Sequence, residues 1–240
     1  MNAYFIDLDG TLIFSHRYYH EGYRPIEIYN GRQISFIEKD TLNVLENAIS
    51  NAEFIPITSR TKAQYRRIEI FKEKCPQYAL LDNGGILLIN GEEDPIWYEE
   101  TRKLLNNSLE QLNDIATWAT QYADVKIQDE IVVFIKTADD RRREEVIKGL
   151  NQYQGFYWFM HGEKLYVCPE ELTKGTAIKR FKSRFPVERS IAAGDSKVDF
   201  SMMEFVDIFV TDERNRESLD SEKVIFTDQR RVALTAMNMK

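Results

Sequence analysis

Cysteine is scarce in this chain. Cys75 and Cys168 are its two cysteines in 240 residues, far apart and in no metal-like or redox-like spacing. A disulfide framework or a cysteine metal cluster is thereby excluded, and both thiols read as reduced, as in a cytosolic protein. No apolar run is long enough to cross a bilayer. The first strand begins almost at Met1 with no secretory segment ahead of it, so the expected location is the cytoplasm, with no membrane partner. Low-complexity tracts and long internal repeats are absent as well. Positive charge is not in excess: Asp and Glu number 39 against 32 Lys and Arg, a net charge of -7. Such a surface excludes broad binding to a nucleic-acid backbone but allows a local basic pocket for one small anion.

What remains is enough for a soluble fold. Hydrophobic residues make up 43% and charged residues 30%, and the length allows one large domain or two modest ones. Residues 2–8 read as a buried strand, followed from Asp40 and Thr41 by a helix to about residue 50 with Leu42, Leu45 and Ile49 on one face. Residues 53–57 form a second strand, a helix runs to about residue 74, and residues 78–81 form a third. Strands alternating with helices predict parallel βαβ units.

After Asp82-Asn83-Gly84-Gly85 the rhythm changes. Hairpins are expected for residues 86–90 with 95–98 around Asn90-Gly91, for 125–128 with 131–136, and for 156–160 with 164–167 around His161-Gly162-Glu163. A long helix over 99–122 and another over 139–151 separate them. Hairpins imply antiparallel sheet, so residues 86–168 are expected to form an inserted α+β cap domain. Residues 1–85 and 169–240 form the core, where parallel rhythm resumes with a helix over 173–185, a strand over 189–193, a short helix over 198–205, strands near 208–210 and 224–226, and a last helix from about Asp228. The predicted class is α/β, a Rossmann-like three-layer parallel-sheet core with an inserted α+β cap.

The chemistry concentrates at strand ends. In Tyr4-Phe5-Ile6-Asp7-Leu8-Asp9-Gly10-Thr11 an apolar strand runs into two carboxylates one residue apart. Side chains at i and i+2 of a strand share a face. A glycine next allows a sharp turn. Three further signals follow: Thr58-Ser59 after the second core strand, Lys174 at a helix start, and Gly194-Asp195-Ser196-Lys197-Val198-Asp199 after another strand. Singly, each has a bland reading: a helix cap for Thr58 and Ser59, a solvated lysine, a capped turn for Asp195. Four such coincidences in one order are the parts of a phosphoryl-transfer site, where positioning and charge neutralisation dominate. A carboxylate nucleophile needs a metal so that one anion can approach another, and Mg²⁺ prefers carboxylate, phosphate and water oxygens. Asp7 and Asp195 can supply the carboxylates, Thr58 and Ser59 a hydroxyl and N–H groups for phosphate oxygens, and Lys174 a compact positive charge. Asp9 can protonate the leaving oxygen and then take a proton from water.

These residues make the chain resemble the haloacid dehalogenase superfamily of phosphotransferases, through Asp7-Leu8-Asp9-Gly10-Thr11, Thr58 or Ser59, Lys174, and Asp195 with Asp199. The resemblance covers the whole core. It implies Asp7 as nucleophile and Asp9 as general acid and base. Mg²⁺ would be held by Asp7, the Asp9 main-chain carbonyl and Asp195, and Asp199 would support the metal site or pair with the lysine. The insertion point resembles the Cof-type branch, which includes sucrose-phosphate and mannosyl-3-phosphoglycerate phosphatases. Thr58-Ser59-Arg60 stands where that branch often has Thr-Gly-Arg, and Val198 where it often has Asn. The resemblance thus implies a phosphoric monoester hydrolase acting on a small phosphorylated metabolite, a sugar phosphate or a phosphoglycerate conjugate.

An extended flap over residues 13–39 carries His16, Arg17, Tyr18, Tyr19, His20, Tyr23 and Arg24, with a hairpin expected across Asn30-Gly31. His16, Arg17, Arg24 and Arg60 are its candidates and the site's for substrate contact; the bland alternative is a surface hairpin. The charge run Arg141–Arg143 reads as a solvated helix start, Trp118 and Trp158 as cap core, and His161 as a turn residue. A phosphomutase on the same scaffold is the alternative activity. A metal-dependent nucleotide-sugar transferase ranks lower, because it leaves Lys174 and Asp195 without a role.

Overall fold

Ala3, Tyr4, Phe5 and Ile6 are all buried, which requires cover on both faces of the first strand, Asn2–Ile6. In the computed structural model, which describes residues 1–51 and 53–239, that strand is flanked in parallel by Phe54–Pro56 and by Arg189–Ala193. Ile208–Asp212 and Val224–Thr227 continue the parallel sheet beyond Arg189–Ala193. The chain therefore leaves Asn2–Ile6 toward one edge and returns to fill the other. That places a topological switch point between Asn2–Ile6 and Arg189–Ala193, and the crevice outside the carboxyl ends of strands at such a point is where open α/β sheets bind ligands. Asp7 and Asp195 both sit there, just past their strands.

Two compact units are present, Met1–Asp94 with Thr173–Lys240, and Pro95–Leu172. The second is a four-stranded antiparallel sheet in the order Phe156–His161, Lys164–Pro169, Val132–Thr137, Ala123–Gln128. Helices Asn106–Ala119 and Asp140–Leu150 pack Leu112, Ile115, Val146 and Leu150 against Val133, Ile135, Leu165 and Val167 of that sheet. Together the units give the expected α/β core with an α+β insert.

Several local elements differ from the sequence expectation. Ile86–Ile89 does not pair with residues 95–98; it pairs with Tyr78–Leu81, and across the Asn90-Gly91 turn with Glu92–Glu93. Pro95 instead opens a helix, Pro95–Leu104, the first helical position being where a proline's missing N–H costs nothing. Ile86–Ile89 thus lies in the first unit, where the sequence reading had it open the insert. Among the described residues, Tyr78–Leu81 joins the parallel sheet through the isolated parallel bridge between Ile57 and Leu80. The helix expected over 99–122 breaks at fully buried Leu105, which turns into a cluster with Ile131, Val132 and Tyr166. The helix expected up to residue 74 is likewise two short pieces, Lys62–Tyr65 and Glu69–Glu73. Between them Ile68 is extended and bridges to Glu27, so tertiary pairing overrides helix propensity there.

The flap forms a three-stranded antiparallel sheet, with Arg32–Glu38 between Phe14–Ser15 and Tyr23–Tyr29. Its turn is Asn30-Gly31, as expected, both residues having positive φ. A bulge displaces the register between Pro25 and Ile28, next to Glu27.

Left-handed backbone serves two purposes here. Gly84 (φ 95°) leaves no room for a side chain, since a Cβ would come within 2.0 Å of the Ala177 Cβ, whereas Gly22 (φ 92°) has open space. Gly22→Ala is expected to cost about 1–2 kcal/mol in urea unfolding from φ alone. Gly84→Ala adds a clash in a packed core and should cost about 2–4 kcal/mol; equal losses would show that the close approach to Ala177 is unimportant.

Candidate active site

The chain leaves the first strand through a tight turn in which the Leu8 carbonyl accepts from the N–H groups of Thr11, Leu12 and Ile13. Gly10 lies in that turn at φ 88°, and a Cβ there would stand 2.7 Å from both carboxylate oxygens of Asp195. The turn therefore brings the Asp195 carboxylate against main chain that only glycine can offer. Thr11 Oγ1 donates to Asp195 Oδ1 at 3.1 Å, and Gln229 Nε2 donates to Asp195 Oδ2 at 3.1 Å and to the Gly10 carbonyl at 3.2 Å. Asn215 Nδ2 donates to the Asp195 main-chain carbonyl at 2.9 Å. Gln229 and Asn215 had no motif to announce them; their only sequence signal is a position shortly after a core strand.

Lys174 begins the helix Lys174–Arg184, which Thr173 caps through a reciprocal pair with Thr176. The lysine is 3% exposed. Its Nζ donates to Asp7 Oδ1 and to Asp199 Oδ1, each at 2.5 Å. The other Asp199 oxygen accepts from Ser196 N and Ser196 Oγ. Asp199 is thus committed on both oxygens and holds the lysine and the Ser196 turn in place.

Asp9 faces a different partner. Arg60 grips it with two parallel bonds, Nε to Oδ2 at 2.6 Å and Nη2 to Oδ1 at 2.7 Å. Arg60 also donates Nη1 to Glu27 Oε2 at 3.0 Å. Thr58 is buried and its Oγ1 accepts from Arg60 N; its own N–H is taken by the Leu80 carbonyl. The expectation of a free N–H at Thr58 is therefore corrected: a strand-like bond across the Ile57–Leu80 bridge consumes it, and only the hydroxyl is left to donate. Ser59 is half-buried beside it. His16 and Arg17 lie in an exposed turn and Arg24 is exposed on Tyr23–Tyr29; none of the three makes an ion pair among the described residues. The His161 side chain lies outside the described residues.

The electrostatics of the crevice are unbalanced. Burial pushes the Asp7 carboxyl well above the usual carboxylate range; Lys174 opposes this, and the Asp199 and Asp195 charges add to it. Burial, then the Asp199 charge, push Asp195 up to about 6 against the hydrogen bond from Thr11. Burial works against the Lys174 ammonium, but the Asp199 and Asp7 charges outweigh it and raise its pKa. Arg60 is likewise raised, burial being overcome by Asp9 and then Glu27. Oxygens of Asp7, Asp195 and Asp199 lie within 4.8 Å of one another. Three carboxylates around the Lys174 ammonium, with Arg214 acting on Asp195 from further off, leave a largely buried cluster short of positive charge, with hard oxygen donors. That donor set fits a divalent cation: Asp199 already accepts three donors, one of them the Lys174 ammonium, whereas each Asp195 oxygen accepts one uncharged donor and Asp7 Oδ1 accepts Lys174, so Asp7 and Asp195 are the side chains with more capacity for it.

Comparison with known proteins identifies the family and the fold. The sequence model of the haloacid dehalogenase-like hydrolases matches residues 24–211. A search of curated protein sequences finds no match. Among solved structures, the sucrose-phosphatase from Synechocystis sp. PCC6803, in complex with sucrose and phosphate, superposes with a TM-score of 0.66 at 14% identity, over 98% of this chain and 96% of that one. The C-terminal domain of trehalose-6-phosphate phosphatase from C. albicans gives 0.64 at 14% identity over 98% and 90%. A haloacid dehalogenase-like hydrolase from B. subtilis gives 0.65 at 15% identity over 99% of both chains. These likenesses establish the fold.

The charge imbalance makes the metal-free protein sensitive to pH. A carboxyl raised in the folded state stays protonated there over a range where the unfolded chain has lost its proton. For Asp195 that range runs from the ordinary 3.8 to about 6, so its contribution to stability falls as pH rises through it and stays low above. A cation that binds the ionised site reverses this. Adding MgCl₂ should therefore raise the melting temperature more at pH 7.5 than at pH 5.0, and Asp195→Asn should abolish the increment while stabilising the metal-free protein at pH 7.5. A Mg²⁺ increment independent of pH and of Asp195 would place cation binding elsewhere.

Proposed function

Since the chain belongs to the haloacid dehalogenase-like hydrolases, we propose that it is a Mg²⁺-dependent phosphatase that hydrolyses a small phosphorylated metabolite, a sugar phosphate or phosphoglycerate conjugate. The observation that carries this reading is the pair of carboxylates two residues apart in two different settings. Asp7 is buried and bonded to Lys174, and Asp9 is part-exposed and bonded to Arg60. Asp7 acts as the nucleophile in this reading. Lys174 holds its Oδ1, which leaves Oδ2 to form the bond to phosphorus as the ester P–O bond breaks. Asp9 gives a proton to the departing alkoxide. Water then attacks the phosphorus of the aspartyl-phosphate, Asp9 takes a proton from it, the P–O bond to Asp7 breaks, and inorganic phosphate leaves. The Thr58 hydroxyl and Ser59 donate to non-bridging oxygens, and Asp199 keeps Lys174 in register. Mg²⁺ bound by Asp7, the Asp9 carbonyl and Asp195 would supply the positive charge that lets phosphate approach the Asp7 carboxylate.

The sucrose and phosphate bound in one structural neighbour, and the trehalose-6-phosphate phosphatase identity of another, support a phosphorylated sugar within this class. Free Cys75 and Cys168 support a cytoplasmic location, and no described helix is long and apolar enough to cross a membrane. The net charge of -7 argues for a small anion over nucleic acid as the phosphorylated partner.

Phosphate release from a panel of phosphorylated sugars and phosphoglycerate derivatives with MgCl₂ tests the reading. Turnover should vanish with chelator and in Asp7→Asn, and fall about 10²–10⁴-fold in Asp9→Asn, the usual worth of a general acid and base. Undiminished turnover in folded Asp7→Asn would remove it as the nucleophile.

A further inference from the structure

Glu27 is fully buried, 0% exposed, yet it belongs to the flap strand Tyr23–Tyr29, most of which faces solvent. Nothing in the mechanism above uses it. Its inward aim comes from the bulge between Pro25 and Ile28, which breaks the strand's alternation, and from the bridge that joins its main chain to Ile68. A carboxylate without water needs partners, and three converge on it. Ser35 Oγ donates to Oε2 at 2.6 Å from the adjacent strand, Arg60 Nη1 donates to the same oxygen at 3.0 Å, and Arg67 Nε stands 3.0 Å from Oε1. Arg67 in turn lies over the Tyr29 ring, 4.7 Å from its centroid, so the flap grips both arginines.

The geometry of Arg60 gives this cluster a consequence at the reacting centre. A guanidinium is a rigid fork, so fixing Nη1 on Glu27 fixes the direction of the Nε–Nη2 edge. That edge carries both bonds to Asp9. We propose that Glu27 is a positioning residue: through Arg60 it sets the orientation of the Asp9 carboxylate, making the flap part of the proton-transfer apparatus. This rests on the phosphatase reading and assigns a cause to the placement of its acid and base. A misplaced acid weakens the step that protonates the leaving oxygen and spares the attack by Asp7.

Glu27→Gln keeps the shape and one acceptor oxygen but loses the charge, and Arg60→Lys keeps a charge but cannot hold Asp9 by two parallel bonds. Both proteins, confirmed as folded by circular dichroism, would be assayed beside the wild type. One substrate is the alkyl phosphate turned over best in the metabolite panel. The other is 4-nitrophenyl phosphate, whose leaving group departs without a proton. The parameter is kcat/KM, which excludes the later hydrolysis of the aspartyl-phosphate. The alkyl ester should lose about 10- to 100-fold in both variants, part of the 10²–10⁴ available from general-acid catalysis, and 4-nitrophenyl phosphate less than about threefold. Ser35→Ala should show the same bias more weakly. Equal losses on the two esters, or no loss, with an active wild type would overturn the positioning role. A wild type inactive on every ester would overturn the phosphatase reading beneath it. A Glu27→Gln protein that fails to fold leaves Arg60→Lys and Ser35→Ala to decide by the same bias.

Discussion

Charge held out of water at the carboxyl ends of two parallel strands is the constraint on which this molecule is built. Asp7, Asp195 and Asp199 share a crevice with the single ammonium of Lys174, and none of the four is well exposed. Unpaired, such groups would cost several kcal/mol each. The fold answers with fixed partners. Lys174 bridges Asp7 and Asp199, Ser196 holds the far side of Asp199, and Thr11 and Gln229 hold Asp195. These partners come from widely separated stretches of chain, so the crevice also ties the first strand to the carboxyl-terminal third of the sequence.

Two carboxylates from one strand end can take different roles only if their surroundings differ. Here the divergence is plain. Asp7 is buried and bonded to an ammonium shared with a second carboxylate. Asp9 turns toward solvent and a guanidinium that reaches it with two donors. Behind that guanidinium lies a second buried carboxylate, Glu27, with its own arginine and serine. The described residues thus form two charge networks, one around Asp7 and one around Asp9.

How much of this could be read from the sequence follows from the range of the interactions. The Asp7-Leu8-Asp9 spacing, the glycine turn, and the helix start at Lys174 are local, and they were legible; the shared face expected of Asp7 and Asp9 was not, since the strand ends at Ile6 and the two carboxylates meet different partners. So was the parallel rhythm that puts the strand ends together. The four-stranded insert was legible from its hairpins, two of which form as expected. What failed was non-local. Ile86–Ile89 chose Tyr78–Leu81 over the segment after it, and Leu105 and Ile68 broke helices to reach distant partners. Gln229 and Asn215 lie 34 and 20 residues from Asp195, and Glu27 lies 33 from Arg60, with no motif around them. Arg60 was read as a candidate for substrate contact, whereas its side chain is bonded to Asp9 and to Glu27, partners 51 and 33 residues away.

The energetic cost of the crevice is itself evidence for its use. Replacing a buried ion pair by well-packed apolar residues is often neutral or stabilising, so stability alone gives no reason to keep one. Here the carboxyls of Asp7 and Asp195 are held above their ordinary range, a state in which ionisation works against folding at neutral pH. Asp195 is moreover packed against Gly10 so closely that no side chain could replace its hydrogen there. A chain under selection for stability alone would relieve each of these features with one substitution. All of them occur together, at the switch point of the sheet and around one small volume of space. A bound cation and a phosphate dianion would complete that volume electrostatically, the cation offsetting the carboxylates and Lys174, Thr58 and Ser59 meeting the phosphate oxygens. The strain would then favour binding of that pair.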